Sequence, residues 1–393
     1  MTEAAAPKRY HRLKLILSLL STFIGWAYLL LLVLTPLAAR LAAVTASTNN
    51  PYLHFLGFSL AVALVSQLYS LPLSFYSSYV VEHTYRLSNQ TIPAWAWERF
   101  KGLLVGLIIG LPVLLVFYYC LTTFGAAWWL PVGIVIFLLS VVLGRLAPVL
   151  IFPLFYKFEP LAEDHPLGER IASLCRSVGL TIAGVYRFNL SKSTRKANAA
   201  FAGLGRAKRV LLADTLLDNF TDDEILAVVA HELGHFRLKH IIKGLVQGTV
   251  ITFLGLFLVA RLHDGLSDGQ VTVLATLPWL ALLLGVYSFL AGPLSNAFSR
   301  RWEFAADRYA VQLVEEGHAL AEGPSAVLRT SPSAVLRTSP SAVLRASPSA
   351  VLRASLERLA DLNLADRDPH PLVELLFHSH PSIKRRVAAL EEL

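Results

Sequence analysis

Two histidines, His231 and His235, stand four residues apart, and the acidic Glu232 directly follows the first. On a helix this spacing puts both imidazoles on one face, close enough to bind one Zn²⁺ ion. Glu232 flanks that face, where a carboxylate can act as general base on a zinc-activated water. The alternative is a helix with two solvent-facing histidines. Apolar residues recur along the same segment and predict a packed helix, which favours the metal site.

A catalytic zinc needs a third protein ligand and an open fourth position. The best candidate is Glu303, which lies in a polar stretch just after a long apolar segment. Asp307 follows one helical turn later, where its carboxylate can accept the second ring N–H of a ligating histidine. Taken alone, the pair could equally be a solvated helix face. With the metal helix already placed, the ligand interpretation is favoured.

Further histidines lie near the C-terminal end, at His378 and His380, followed by Arg385 and Arg386. A donor near the metal could stabilise the oxyanion that forms during peptide hydrolysis. The alternative is a polar loop before a short terminal helix. Four other histidines are interpreted as surface or interfacial residues, namely His240, His263, His318 and His370.

The composition is that of a membrane protein. Hydrophobic residues make up 55% of the 393 residues, charged residues only 16%, and the mean hydropathy is +0.55. The net charge is +8, but the basic residues are scattered without interleaved aromatics, which argues against nucleic-acid binding. The two cysteines, Cys120 and Cys175, form no CxxC pair, so neither a disulfide framework nor a cysteine zinc site is predicted.

Six apolar segments each approach the roughly 20 residues needed to cross a bilayer. They are about 15–38, 54–80, 102–123, 128–155, 242–262 and 271–297. Basic and non-basic loops alternate between them. The positive-inside rule then places the N-terminus, the zinc motif and the C-terminal tail on the cytoplasmic side.

This pattern divides the chain into four regions. They are a region of four spans (1–156), a cytoplasmic segment with the zinc-motif helix (157–241), two further spans (242–298) and a C-terminal catalytic segment (299–393). In the cytoplasmic segment, alternation and turn residues predict helices at Leu167–Val178 and Thr221–Lys239, with short strands at Gly184–Leu190, Asn198–Gly203 and Arg209–Ala213. Thr221 and Glu224 match a capping box, which marks the start of the second helix.

An octapeptide repeats within the C-terminal segment. Pro-Ser-Ala-Val-Leu-Arg-Thr-Ser or its Ala-Ser variant starts at 324, 332, 340 and 348. Each unit contains a proline, which interrupts a continuous helix. We therefore expect residues 324–355 to form an exposed, partly disordered insert made by recent duplication. A docking role for its four arginines is the alternative.

Taken together, these motifs resemble the type I CaaX prenyl proteases, a family of integral-membrane zinc metallopeptidases. The resemblance is carried by five stretches that fall in the family's order, at 152–158, 197–203, 231–235, 299–307 and 380–386. It implies a mainly α fold, in which membrane helices form a barrel around a water-filled chamber. A small α+β zinc metallopeptidase domain would lie on the cytoplasmic side.

The resemblance also implies roles for individual residues. One Zn²⁺ per chain would be held by His231, His235 and Glu303, with Glu232 as general base. Asp307 would be the partner of a zinc-bound histidine.

Two further pairs of residues gain roles in the same way. His380 and Arg386 would orient the substrate or stabilise the transition state. Asn198 and Ala199 would lie on an edge strand that pairs with the substrate backbone, a general way of holding an extended peptide.

The sequence departs from the family pattern in three places. Eukaryotic members have one membrane helix more than the six counted here, Ser382 replaces a family proline, and the octapeptide insert has no family counterpart. Abundant Leu, Ala and Arg with little Lys indicate a bacterial homologue in the inner membrane. Its substrate is then a peptide or protein that need not be lipidated.

The expected activity is zinc-dependent endopeptidase cleavage at the membrane. One alternative is a membrane-protein quality-control peptidase of the HtpX type. Another is a non-catalytic membrane scaffold or transporter that retains a structural zinc. Ionisable residues on the spans would favour a transporter, but Arg145 is the main example.

Overall fold

The computed structural model describes residues 6–46, 49–162, 165–202, 208–322 and 347–393. The chain forms two compact units. One comprises Met1–Phe155 and Lys243–Ser295, and the other comprises Tyr156–Ile242 and Asn296–Leu393.

The first unit is built from long apolar helices. Its N-terminal part contains α1 (Ala6–Leu34), α2 (Leu37–Thr45), α3 (Pro51–Phe75), α4 (Val81–Thr84), α5 (Ile92–Phe124), α6 (Trp129–Leu146) and α7 (Phe152–Phe155). Side-chain caps begin two of them. Asn50 accepts hydrogen bonds from the first turn of α3, and Thr91 does so for α5, each followed by a proline in the first turn.

The second unit contains a four-stranded sheet. Its elements up to the metal motif are β1 (Phe158–Pro160), α8 (Pro166–Ser177), β2 (Gly184–Phe188), β3 (Ala199–Ala202), β4 (Arg209–Ala213) and α9 (Asp214–Asn219). The strand order is β1-β2-β4-β3, with β2 and β4 parallel and the other pairs antiparallel. β3 therefore lies at an edge of the sheet. Register places Ala199 opposite Leu212 of β4.

The helix with the histidine motif, α10 (Asp222–Arg237), begins where the sequence predicts it. The Thr221 hydroxyl accepts a hydrogen bond from the Glu224 backbone N–H, and the Glu224 carboxylate accepts one from the Thr221 N–H. This reciprocal cap satisfies two donors that a helix N-terminus leaves free. The acidic first turn also complements the helix dipole. The cap fixes the first turn of α10, ahead of the turns that present the histidines.

Two further long helices follow, α11 (His240–Leu266) and α12 (Leu277–Glu322). Together with the helices of the N-terminal part, they bring the described residues to six helices that are long and apolar enough to cross a membrane. The six apolar segments predicted from the sequence correspond to these helices. The helices extend beyond the apolar runs at most of their ends, and α12 continues far into the polar region that carries Glu303.

The C-terminal part of the second unit contains α13 (Pro348–Leu362), α14 (Pro371–Phe377) and α15 (Ile383–Glu391). The core of this unit is formed by β2, β4, α8 and α10 with α13, α15 and the polar end of α12. Leu212, Leu233 and Leu352 are among its fully buried side chains.

The expectation of an exposed insert over 324–355 is wrong for its last unit. Ser347 caps α13, Pro348 stands in its first turn, and Leu352 and Ser355 are 2% and 0% exposed. Proline is well suited to the first helical position, where its missing N–H costs nothing. The Ser355 hydroxyl also donates to the Glu224 carbonyl of α10. The preceding repeats, at 324–346, lie outside the described residues.

The other predicted elements of the second unit occur with small shifts. The strand predicted at Arg209–Ala213 has those bounds, whereas the one at Gly184–Leu190 ends at Phe188. The strand predicted at Asn198–Gly203 runs from Ala199 to Ala202, and Gly203 lies outside the described residues. β1 was not predicted.

Candidate active site

The two motif histidines lie side by side on α10. Their Nε2 atoms are 3.1 Å apart, and the side chains remain partly accessible, at 12% for His231 and 23% for His235. Helical spacing produces this arrangement, because residues four apart stand one above the other on the same face.

Glu303 on α12 brings a carboxylate to the same point. It is 4% exposed, and its two oxygens each lie 3.4 Å from a histidine Nε2, Oε2 from that of His231 and Oε1 from that of His235. Tetrahedral zinc with ligands at about 2.0–2.2 Å requires ligand atoms roughly 3.3 Å from one another. One ligand atom from each of the three residues lies within 4.8 Å of the others, so the group is close enough to hold one metal ion.

The approach of α10 to α12 depends on a glycine between the histidines. A Cβ atom on Gly234 would lie 3.0 Å from both the Cα and the carbonyl oxygen of Ala306 on α12. Since these are backbone atoms, no side-chain rotation can relieve the contact. Gly234 thus allows the helix with the histidines to lie against the helix with Glu303.

We expect Gly234→Ala to separate the two helices. Overpacking of this kind costs about 1–3 kcal/mol, so the midpoint of thermal unfolding should fall and the affinity for metal should weaken. Gly248→Ala is a matched control, because a Cβ there meets no atom within 4 Å. A Gly234→Ala protein as stable and as tightly metal-binding as the control would contradict the proposed close packing.

Asp307 fixes the orientation of one histidine. The His231 Nδ1–H group donates to Asp307 Oδ1 over 2.8 Å. In the neutral ring only one nitrogen carries a proton. Because Nδ1 carries it here, Nε2 keeps a lone pair directed at the candidate metal position. Burial lowers the pKa of His231, but hydrogen bonds to Asp307 and Glu303 outweigh it and raise that pKa to about 9. Protons therefore compete with a metal for this nitrogen.

Arg386 lies behind the candidate ligands. It is 7% exposed, and its Nε and Nη2 atoms donate to the two oxygens of Asp307 over 2.8 and 2.6 Å. Its Nη1 atom is also 3.5 Å from Glu303 Oε2. The bidentate contact between Arg386 and Asp307 holds the Asp307 carboxylate towards His231.

His380, unlike Arg386, is exposed to solvent. Its Nδ1 atom lies 3.1 Å from Glu303 Oε1, yet its side chain is 64% exposed. It is therefore both adjacent to the candidate ligand and accessible to a bound molecule. His378, its neighbour in the sequence, is partly buried.

Glu232 is the candidate general base. Burial raises the pKa of its carboxyl, while His231 and His235 oppose the rise. A carboxyl with a raised pKa suits a group that must both accept and return a proton near neutral pH.

Sequence analysis did not predict that His240 lies beside His235. It is 5% exposed, contrary to the surface or interfacial position expected for it. Its Nδ1 atom lies 3.0 Å from His235 Nδ1, and its ring stacks on Trp302 with a centroid distance of 5.5 Å. Lys239 adopts a positive φ of 57°, which turns the chain between α10 and α11 and brings His240 back to His235. His263 is likewise fully buried.

The expected substrate strand lies at the edge of the sheet. Ala199 begins β3, and Asn198 immediately precedes it, with its carbonyl accepting a hydrogen bond from Ala213 N–H. The Asn363 side chain forms two hydrogen bonds with the backbone of Ala197, which fixes the entry to the strand. β3 also packs against α10, the helix that carries the motif.

Comparisons with known proteins agree with this arrangement. Residues 162–393 match the model of peptidase family M48, and residues 2–157 match the model described as CAAX prenyl protease N-terminal, five membrane helices. Among the described residues, four candidate membrane spans lie within 2–157.

Similar proteins extend over most of the chain. An uncharacterized metalloprotease, YhfN of Bacillus subtilis, is 28% identical over 100% of this chain and 86% of its own length. A CAAX prenyl protease 1 homolog of Arabidopsis thaliana is 29% identical over 87% of this chain and 74% of its own.

A solved structure, the crystal structure of S. mikatae Ste24p, has a TM-score of 0.79 at 24% identity and covers 98% of this chain and 88% of that one. The predicted fold class, mainly helical with membrane helices and a small sheet, is confirmed. The resemblance to the CaaX prenyl proteases is likewise confirmed, and this multi-pass membrane protein belongs to peptidase family M48 and is a metalloprotease.

Proposed function

We propose that this protein is a zinc-dependent endopeptidase of the CaaX prenyl protease type. One observation carries the proposal. Three candidate ligand atoms, on His231, His235 and Glu303, lie within 4.8 Å of one another, and the Asp307 carboxylate accepts the hydrogen bond of the other ring nitrogen of His231. That combination of three ligands and an orienting carboxylate is typical of catalytic zinc sites.

The ligand residues His231, His235 and Glu303 would hold one Zn²⁺ per chain. A bound zinc ion supplies Lewis acidity, which lowers the pKa of water and polarises a carbonyl. Glu232 accepts a proton from the attacking water and returns it to the leaving amine. Its raised pKa supports this double role.

His380 and Arg386 would have different roles. His380 is exposed beside Glu303 and would donate to the oxyanion of the substrate. Arg386 is buried on Asp307, so we assign it to positioning Asp307 and His231 rather than to contact with the substrate.

The substrate would bind as an additional strand. β3 is an edge strand that packs against α10, and an extended peptide can pair with such an edge through its backbone. Relatives named CAAX prenyl protease 1 support a lipidated peptide as one substrate class. The alternation of basic loops supports a cytoplasmic site for cleavage.

Cleavage of matched peptides tests this function. Purified protein should contain about one zinc per chain and cleave an extended CaaX peptide, with faster cleavage when the peptide is farnesylated. A chelator should abolish cleavage, and added Zn²⁺ should restore it.

The outcomes separate the alternatives. Equal or exclusive cleavage of the unprenylated peptide would favour a quality-control peptidase of the HtpX type. Bound zinc without cleavage of any peptide would overturn the enzymatic proposal and favour a scaffold or transporter.

A further inference from the structure

Side chains of another helix bind the C-terminal end of the helix that precedes His380. α14 ends at Phe377, three residues before His380. The last carbonyl groups of a helix have no partners within it and must be satisfied by other groups. In α14 the carbonyls of Glu374, Leu375 and Leu376 accept hydrogen bonds from side chains of α12, and that of Glu374 also accepts the His378 N–H.

Arg300 makes most of these contacts. Its Nη1 atom lies within hydrogen-bonding distance of three carbonyl oxygens, those of Glu374 (3.0 Å), Leu375 (3.3 Å) and His378 (2.7 Å). Asn296 adds a fourth contact, donating through Nδ2 to the Leu376 carbonyl over 3.0 Å. Arg300 is 8% exposed, so its charge is placed in the interior at this helix end.

The same face of α12 carries the candidate metal ligand. Asn296, Arg300, Glu303 and Asp307 are spaced by four, three and four residues, which puts them on one ridge of the helix. Since each residue rises about 1.5 Å, Arg300 and Glu303 are roughly 4.5 Å apart along the axis. A single rigid helix therefore both supplies Glu303 and holds the segment that carries His380.

We propose that Arg300 is a positioning residue for the reaction. By binding the end of α14 and the His378 carbonyl, it fixes the short segment to His380, whose Nδ1 lies 3.1 Å from Glu303 Oε1. This inference rests on the proposed role of His380 in cleavage.

Arginine has properties that this position requires. Its guanidinium charge is delocalised and more weakly hydrated than an ammonium, so it suits a buried position such as that of Arg300. A cation at a helix C-terminus is also favoured by the helix dipole. Lysine has the charge, but its ammonium is more strongly hydrated and harder to bury.

A double-mutant cycle distinguishes positioning from a general loss of stability. Arg300→Gln should lower kcat by about 10- to 100-fold, the effect typical of residues that orient a catalytic group. Metal content and KM should stay near those of the wild type. In a His380→Ala background the same substitution should change kcat by only about twofold, because residues acting as a unit are not additive.

Arg301→Gln is the matched control, since Arg301 is the adjacent arginine and is exposed. It should leave kcat unchanged. Equal losses from Arg300→Gln with and without His380 would overturn the proposal, as would an unchanged kcat.

A milder variant covers the case in which Arg300→Gln does not fold. Asn296→Ala removes one of the four contacts, and its smaller loss of kcat should also vanish in the His380→Ala background; persistence of the loss would count against the proposal. Inactivity of the wild type, or full activity of His380→Ala, would instead show that the proposed function or the role of His380 is wrong.

Discussion

Glu232→Gln is expected to keep its metal and to lose nearly all peptide cleavage. Glu232 is not among the three donors that converge at the candidate metal position, so the substitution leaves the ligands unchanged. It removes the carboxylate that accepts and returns the proton. General acid–base groups contribute about 10²- to 10⁴-fold to a rate, and kcat should fall by a factor in that range.

Zinc content measured on the same preparation as kcat checks this prediction. Asp223→Asn is a suitable control, because it removes one negative charge from the same helix at a side chain that is 68% exposed. The control should retain its activity. Wild-type cleavage by Glu232→Gln would show that another group serves as base, while loss of zinc would show that Glu232 supports metal binding.

Glu303→Gln is expected to lose the metal itself. The Glu303 carboxylate is buried and meets His231, His235 and His380 within 3.1–3.4 Å. The amide keeps the shape but supplies a weaker, uncharged oxygen. Residues behind the ligands typically account for about 10- to 100-fold in metal affinity, so loss of a ligand should exceed that factor.

Competition with a coloured chelator measures the affinity, and activity should fall in proportion to zinc occupancy. Glu316→Gln is the control, since it makes the same change at an exposed position of α12. Comparison of unfolding midpoints in the presence of chelator shows whether the variant still folds. Full zinc occupancy with unchanged affinity would remove Glu303 from the ligand set.

Local signals in the sequence predicted much of the fold. The capping box at Thr221 and the four-residue spacing of His231 and His235 depend only on neighbouring residues, and the observed helix follows them. Long apolar runs likewise identified the six candidate spans. These features can be predicted from the sequence because helix initiation and membrane crossing depend on the residues of a single segment.

Elements that depend on distant partners could not be predicted in this way. β1 has three residues and ends in a proline, a poor strand by itself, and it forms by pairing with β2. The last octapeptide looked like its duplicates, yet its Leu352 and Ser355 are buried in the core beside α10.

The candidate site shows the same division. His231, Glu303 and Asp307 were proposed from motifs. Arg386 was expected to orient the substrate or stabilise the transition state, and no local pattern predicted its bidentate contact with Asp307. The sequence contained a weak signal for His240, which lies five residues after His235. The contacts of Arg300 join residues more than 70 positions apart, and no local pattern reveals them.

The Ser-Pro start of α13 has a consequence for how this gene can change. Every repeat ends in serine, and 339–347 has the same sequence as 347–355, Ser-Pro-Ser-Ala-Val-Leu-Arg-Ala-Ser. Insertion or deletion of a whole unit upstream therefore leaves the same capping serine, proline and buried leucine at the head of α13. The chain can vary in length here by steps of eight residues while the core keeps an identical helix start.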